Sequence, residues 1–431
     1  MNEPVLKAYT MLIPLLFRVA GMLRRFHRRL DTFCSVRENL FEELGEKLGS
    51  LGEPFLRIWV HAASVGEFEQ ARPVIAALQE KYPGIILFLS FLSDSGFNAR
   101  RSFPGAAAVF YLPVDTPENA GRLVQLLRPD ILMLMRYDFW PNHLLAAKKA
   151  GVRLILAAAV LRRDSQYFNP LLRGFYRSIF GLFDRIYTVS AEDTRAFRET
   201  FGCRQAETAG DPRFDQVLQR SMNTGKVATL KPFFENRTVL VAGSIWDRDE
   251  ALLLPAWQRL ENRPDLILVP HQVDRENMER LFGELEMRQI PFRAGSAMDA
   301  TFDPEREVLV IDRTGFLAEL YSIGSIAYVG GGFGINVHNT LEPAVHGIPV
   351  LFGPHHRNSP EAAGLADRGG AFVVRDEASL HDALKTLTGS SSPRLQAGRA
   401  ARAFVMDHAG ATGHIAGDIG RNYLGDRGVP G

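Results

Sequence analysis

The sequence predicts an α/β protein made of two doubly wound parallel sheets that face a cleft. Three observations carry that expectation. Short apolar runs alternate with helical patterns along most of the chain, the rhythm of a parallel sheet covered on both faces. The rhythm breaks over residues 221–237, where Asn, Thr, Gly, Lys and Pro gather, and then restarts. Over 326–352 an apolar strand, a glycine loop, a helix and a second strand follow one another as one βαβ unit.

The length of 431 residues fits two domains of ordinary size, and 46% hydrophobic residues supply ample core. Lys plus Arg is 50 and Asp plus Glu is 49, a net charge of +1. That balance gives no reason to expect a nucleic-acid partner. The two cysteines, Cys34 and Cys203, are far apart and form neither a disulfide framework nor a CxxC metal pair. A reducing compartment fits them.

Taken in order, the N-terminus is the compositional anomaly. An apolar run over 11–17 is followed by Arg18, Arg24, Arg25, Arg28 and Arg29. Pro14 and Arg18 shorten it against the ~20 apolar residues of a membrane span. A signal peptide carries its positive charge before the apolar run, and here the charge comes after it. The remaining expectation is a helix lying on a membrane surface, its arginines meeting anionic headgroups. A helix packed on the domain with a solvated basic side is the plainer alternative.

A helix over 36–47 leads to a strand over 57–63 and a helix over 67–82. Ser64 followed three residues on by Glu67 reads as a capping box. Glu67 also sits at the carboxyl end of a strand, where open α/β sheets bind ligands. A carboxylate at a helix start is expected to favour its ionised form. Further strands are expected over 85–91, 108–111, 131–135, 154–159 and 186–189. The loops between them are 93–96, 113–117, 136–142 and 161–165, and 210–215 closes this half. The second half is expected to hold strands over 238–242, 266–269, 308–311, 326–329, 349–352 and 371–374. Its helices are expected over 250–260, 317–321 and 379–387, with a helical tail. Gly330, Gly331, Gly332 and Gly334 break the strand at 329 and lack the GxGxxG spacing of a dinucleotide fold. A glycine loop before a helix N-terminus suits a phosphate, and a tight turn without a ligand is the plainer alternative. Asn339 and Glu342 also have capping-box spacing.

Five stretches together resemble the 3-deoxy-D-manno-octulosonic acid (Kdo) transferase family. They are WVHAASVGEFEQARPVI (59–75), YLPVDTPENA (111–120), FWPN (139–142), VAGSIW (241–246) and YVGGGFGINVHNTLEPAVHGIPVLFGP (328–354). The basic, apolar N-terminus is similar too. The resemblance covers nearly the whole chain. It implies two Rossmann-like domains of the glycosyltransferase B type and an inverting, metal-independent transfer. The donor would be CMP-Kdo and the acceptor a lipid A precursor at the cytoplasmic face of the inner membrane, with no cofactor. It implies a membrane-associating helix over 1–35, an acceptor domain over 36–225, a nucleotide-sugar domain over 226–405 and a helical tail over 406–431.

By the same resemblance, Glu67 is the base that deprotonates the acceptor hydroxyl. Ser244, Gly331, Gly332, His338, Asn339 and Glu342 hold the nucleotide sugar, with Glu342 at the ribose. Arg72, Asp138 and Asn142 are acceptor or sugar contacts. The sequence departs from the family pattern in four places. Pro270-His271-Gln272 replaces Pro-Arg-His, and Phe316 replaces an acidic residue. Arg136-Tyr137-Asp138 replaces Glu-x-Glu, and GGGFG replaces GGS. His271 and Arg248 are candidates to offset the donor phosphate, beside helix N-termini after Ser244 and after the glycine loop. Arg136 is a candidate for the sugar carboxylate. His61, His143, His346, His355 and His356 lie on different elements, so no metal site is expected from them. Two other readings stay open: another sugar-nucleotide enzyme of this fold, such as an epimerase or a different glycosyltransferase, and a non-catalytic glycolipid-binding protein.

Overall fold

The computed structural model describes residues 3–49, 56–162 and 165–424. Arg163 and Asp164 of the expected loop 161–165 lie outside them, as do the first two and last seven residues of the expected terminal segments. The chain divides into two compact units. The first runs to Gln216 and resumes at Ala409; the second is Val217–His408.

The first unit holds one seven-stranded parallel sheet. Its strands are β1 (Leu56–Ala62), β2 (Ile85–Phe91), β3 (Ala106–Tyr111), β4 (Ile131–Met135), β5 (Arg153–Ala159), β6 (Arg185–Thr188) and β7 (Ala206–Thr208). Their order in space is β3-β2-β1-β4-β5-β6-β7. The order reverses between β1 and β4, which makes that pair the topological switch point. Parallel strands covered on both faces are buried along their whole length, so they appear as continuous apolar runs. Alternation then decides which core each residue joins. Trp59, Leu132, Leu134 and Leu156 enter one core cluster. Ile58, Val60, Met133 and Ile155 enter the other. The returning C-terminal helix, Ala411–Ile419, closes the second core with Ile415 and Ile419.

The second unit repeats the plan. Its strands are β8 (Val239–Ile245), β9 (Asp265–Pro270), β10 (Phe292–Ala294), β11 (Val308–Val310), β12 (Ile326–Val329), β13 (Val350–Phe352) and β14 (Ala371–Val373). They are parallel in the order β10-β11-β9-β8-β12-β13-β14, with the switch point between β8 and β12. The segment 221–237 is not an extended connection. It forms short 3-10 turns, and Val227, Leu230 and Phe234 are buried in a core of this unit.

The N-terminal helix, Glu3–Leu23, runs unbroken through Pro14 and Arg18. Pro14 and Arg18 thus interrupt the apolar run without breaking the helix, which also packs against the unit. Leu6 is buried and Tyr9 packs against Phe175 at 5.8 Å. The opposite face exposes Met11, Leu12, Leu15, Leu16 and Met22. Val5–Leu23, with a mean hydropathy of 1.4, is long and apolar enough to cross a membrane.

Candidate active site

In the first unit the chemistry gathers at the carboxyl ends of β1 and β4, on either side of the switch point. The helix Val65–Lys81 follows β1, and Ser64 caps it by accepting from the Glu67 amide at 3.4 Å. Glu67 reaches back from the other side, its Oε2 accepting from the Ala63 amide at 2.7 Å. So half of the capping box read from the sequence is present, and the Glu67 carboxylate reaches the amide one residue before the cap in place of that of Ser64. The expected charge bias is absent. Burial raises the Glu67 carboxyl above its ordinary value, the Ala63 amide opposes this, and Asp138 adds to the rise. At this helix start desolvation outweighs the single amide and the helix dipole.

Asp138, on the loop after β4, meets the end of β1. His61 Nε2 lies 2.8 Å from Asp138 Oδ2, and His61 Nδ1 lies 2.8 Å from Ser90 Oγ. The Trp59 indole N–H donates to Ser90 Oγ at 2.7 Å, and the Trp140 indole N–H to Asp138 Oδ2 at 3.0 Å. An indole can only donate, so Ser90 keeps its hydroxyl proton for His61 Nδ1, which leaves the Nε2–H to face Asp138. Burial pushes the Asp138 carboxyl up, but His61 and the Trp140 N–H outweigh it and hold it below its ordinary value. Two neighbouring carboxyls are thus pushed apart in pKa, the pattern that separates a proton acceptor from a fixed charge.

Arg136 starts the same loop in the left-handed region, at φ 60°. Backbone in that region costs energy for a non-glycine residue and recurs at functional sites. Its Nε donates to Gln70 Oε1 at 2.7 Å, and its Nη2 lies 3.9 Å from Asp211 Oδ2. Asp211 is buried and also accepts from Arg213 Nε at 2.9 Å. Arg72, one of the predicted contact residues, pairs with Glu69 at 3.4 Å, and Arg100 and Gln216 also reach Glu69.

Asn142 has a structural task. It is buried, and its amide donates to the Asp115 carbonyl at 2.6 Å. Asp115, fully buried, takes the Asn142 amide N–H at 3.2 Å, the His143 amide N–H at 3.0 Å and the Tyr9 hydroxyl at 2.9 Å. One carboxylate thereby caps the helix Pro141–Lys149 and ties the N-terminal helix to it.

In the second unit the predicted residues gather at the ends of β8, β9 and β12, again around the switch point. Ser244 takes a left-handed conformation, φ 54°, at the end of β8. Trp246 follows it and stacks on His271 at 4.5 Å, and His271 stacks on His338 at 4.4 Å. The Trp246 indole N–H donates to His338 Nε2 at 3.0 Å, so that nitrogen is unprotonated. Burial lowers the His338 imidazole to about 4, with the neighbouring His271 adding to the fall. Burial likewise pulls His271 below its ordinary value. His271 therefore brings no positive charge at neutral pH. Arg248 does, its guanidinium reaching the Phe333 carbonyl on the glycine loop at 3.5 Å.

The expected helix N-termini are not open to an anion. Asp249, in the first turn of the helix Asp247–Gln258, is buried and accepts from the Trp246 amide at 3.0 Å and the Gly331 amide at 2.9 Å. The carboxylate already occupies the place a phosphate was expected to take. After the glycine loop the helix is only Leu341–Ala344, too short for an appreciable dipole. The loop glycines instead serve close packing. Gly331 has φ +89°, and a Cβ on Gly332 would lie 2.6 Å from the Gly353 nitrogen. Asn339 accepts from the Leu341 amide at 3.1 Å. Glu342 faces Arg220 at 3.4 Å, and Arg220 also forks onto buried Glu319 at 3.2 and 3.3 Å. The capping box from Asn339 to Glu342 is replaced by this ion cluster.

Sequence reading passed over His61 as part of the first site, and it missed Ser90, Trp246 and Asp249. Trp246 stands at the end of the VAGSIW stretch, and Asp249 stands at capping-box spacing from it. Neither position announces its partner, which comes from a distant strand. Among the described residues no group of three or more His, Cys, Asp or Glu is placed to hold a metal.

Residues 33–216 match a family model described as 3-deoxy-D-manno-octulosonic-acid transferase (kdotransferase). The chain is 30% identical over 328 residues to the 3-deoxy-D-manno-octulosonic acid transferase of Aquifex aeolicus, covering 75% of this chain and 83% of that one. It is 26% identical to the Haemophilus influenzae enzyme of the same description, over 89% of this chain and 92% of that one. Among solved structures it resembles a UDP-GlcNAc 2-epimerase from Neisseria meningitidis bound to UDP-GlcNAc, with a TM-score of 0.60 and 15% identity. That match covers 85% of this chain and all of the other, and it shows the fold alone. With two switch-point sites on two parallel sheets and this agreement in sequence, the chain belongs to the 3-deoxy-D-manno-octulosonic acid transferase family of glycosyltransferases.

Proposed function

We propose that this protein transfers Kdo from CMP-Kdo to a lipid A precursor with inversion at the anomeric carbon. The observation that carries the reading is the pair of carboxyls at the first switch point, Glu67 raised and Asp138 lowered. The donor's leaving group, CMP, needs no proton to depart. The acceptor alcohol needs a base, and the transition state resembles an oxocarbenium ion. Glu67, with one oxygen held on Ala63, takes that proton with the other. A base with a raised pKa matches proton transfer near neutral pH better than an ordinary carboxylate does. Asp138, fixed by His61 and Trp140, holds negative charge beside the developing cation. Arg136 meets the carboxylate of the transferred sugar and Arg72 completes the acceptor side, while Asn142, held on Asp115, supports the loop from within the fold.

On the second unit, Ser244, His271, Gly331, Gly332, His338, Asn339 and Glu342 surround the nucleotide. Glu342 is set by Arg220 to accept from the ribose, and Arg248 carries the charge opposite the phosphate. The Trp246–His271–His338 stack offers flat, neutral rings suited to packing on a pyrimidine. The expected domain layout stands as part of this proposal, with donor and acceptor tasks divided between the two halves. The N-terminal helix, docked along one side and apolar on the other, lies on the inner membrane at its cytoplasmic face. Transfer uses no metal and no cofactor. In the direct test, the purified full-length protein is mixed with CMP-Kdo and a tetraacylated lipid A precursor in detergent with a strong chelator. Free CMP is expected to appear only when both substrates are present. CMP release that is independent of the lipid, or abolished by the chelator, would count against the reading.

A further inference from the structure

We infer that a groove on the first unit binds one acyl chain of the lipid acceptor; this rests on the lipid acceptor proposed above. The groove is a cavity of about 470 Å³ running between the helices Pro117–Leu127 and Pro141–Lys149, with Thr10 of the N-terminal helix over it. Its walls are Gly121 and Val124 on one helix and Leu145 and Ala146 on the other. Four observations point to a hydrocarbon chain.

First, most of the lining is apolar, and of its polar side chains Asn142 spends its amide on the Asp115 carbonyl at 2.6 Å and Thr10 its hydroxyl on the Leu6 carbonyl at 2.9 Å, which leaves Gln125 and Lys149. Second, Gly121 stands inside a helix where a side chain would meet nothing within 4 Å. Glycine weakens a helix interior, and no neighbouring protein atom requires it here. Its effect is to keep the groove wide. Third, the N-terminal helix reaches the groove through Thr10 and carries exposed apolar side chains elsewhere on its surface. Met11, beside Thr10, is 77% exposed, and Leu12 and Leu15 are exposed along the same helix. A helix with this apolar surface brings the groove close to a bilayer. Fourth, Lys149 stands at the mouth, where an ammonium complements an anionic headgroup. From Asn142 to Lys149 the groove is about 10 Å long by helical rise, enough for part of one chain.

Excluding one methylene from such a groove costs roughly fourfold in affinity. Gly121→Leu fills the space where no atom stands, so the helix is kept while the chain is shut out. The preference for acylated over deacylated acceptor, as a ratio of kcat/KM, is expected to fall at least tenfold in this variant. Ala146→Leu on the facing wall is expected to lower the same ratio and guards against a folding defect in the first. An unchanged ratio in both folded variants overturns the proposal while leaving Kdo transfer standing. A second readout needs no transfer. A lipid acceptor carrying a diazirine in a twelve-carbon acyl chain is photolysed with the full-length protein in mixed micelles. Label on the peptides around Gly121 and Leu145 supports the groove. Label confined to the N-terminal helix or spread over the surface overturns it, whether or not the protein proves to transfer Kdo.

Discussion

Glu67→Gln separates the base from the fold around it. The Gln side chain keeps the shape and still presents an oxygen to the Ala63 amide, which lies 2.7 Å away in the wild type. What it loses is the capacity to take a proton. A positioned base contributes about 10²–10⁴ in rate, so turnover should fall at least ~100-fold, or about 2.7 kcal/mol of transition-state stabilisation. Stability should move the other way. Burial raises the Glu67 pKa in the folded state. A raised acid adds stability at pH values below its unfolded pKa and loses that stability as pH rises through its folded pKa. At pH 7 the buried charge is therefore a net cost, and neutral Gln removes it, so the variant should melt no lower than the wild type. The wild-type rate should fall as pH drops through the raised pKa of Glu67, and the residual rate of the variant should lack that acidic limb. The assay is CMP release at saturating donor over a pH series, with calorimetric CMP binding alongside. Near-normal turnover with intact CMP binding refutes Glu67 as the base. A rate loss accompanied by a lower melting point refutes the separation of chemistry from capping.

Three further outcomes follow from named contacts. Asp115→Ala strands the buried amides of Asn142 and His143 and frees Tyr9. It should cost about 3 kcal/mol in urea unfolding of the first unit, and an unchanged midpoint would show that the cap is dispensable. Glu342→Gln should weaken CMP binding by about tenfold in calorimetry if the carboxylate accepts from the ribose; a stability loss with unchanged affinity would leave it only its ion pair with Arg220. His338, lowered to about 4, binds its proton more readily unfolded than folded. Its contribution to stability is present above about pH 6.5 and is lost as pH falls toward 4. His338→Phe should flatten the melting-temperature profile over that range, and an unaltered slope would contradict a neutral, stacked imidazole.

Much of the fold was legible because fully buried parallel strands leave an uninterrupted apolar signature. The runs Ile85–Phe91 and Ile131–Met135 are buried at nearly every position and stand out in the sequence. The helix Arg275–Met287 is harder to see, since charged residues surround its narrow stripe of Met278, Leu281 and Leu285. The short strands β7 and β10 were missed because Ala206–Thr208 and Phe292–Ala294 mix polar and small residues, whereas the equally short β11 and β13 are wholly apolar. The segment 221–237 has the composition of a connection, yet it buries Val227, Leu230 and Phe234, because local polarity does not report a distant core. At the site, residues at or just past strand ends were readable by position: Glu67 after β1, Asp138 after β4, Ser244 at the end of β8. Their partners were not. His61 and Asp138 are 77 residues apart and meet because β1 and β4 pair at the switch point. The direction of the Glu67 shift was misread for the same reason. A capping box is local, whereas desolvation depends on what the whole unit packs around the side chain.

The most direct test is the mass of the lipid after reaction. With CMP-Kdo and a tetraacylated lipid A precursor, the acceptor should gain the mass of one or more Kdo residues. Nuclear magnetic resonance should show the new bond with the anomeric configuration opposite to that of the donor. A lipid of unchanged mass beside a folded protein that binds CMP, or a product that retains the donor's configuration, would contradict the account.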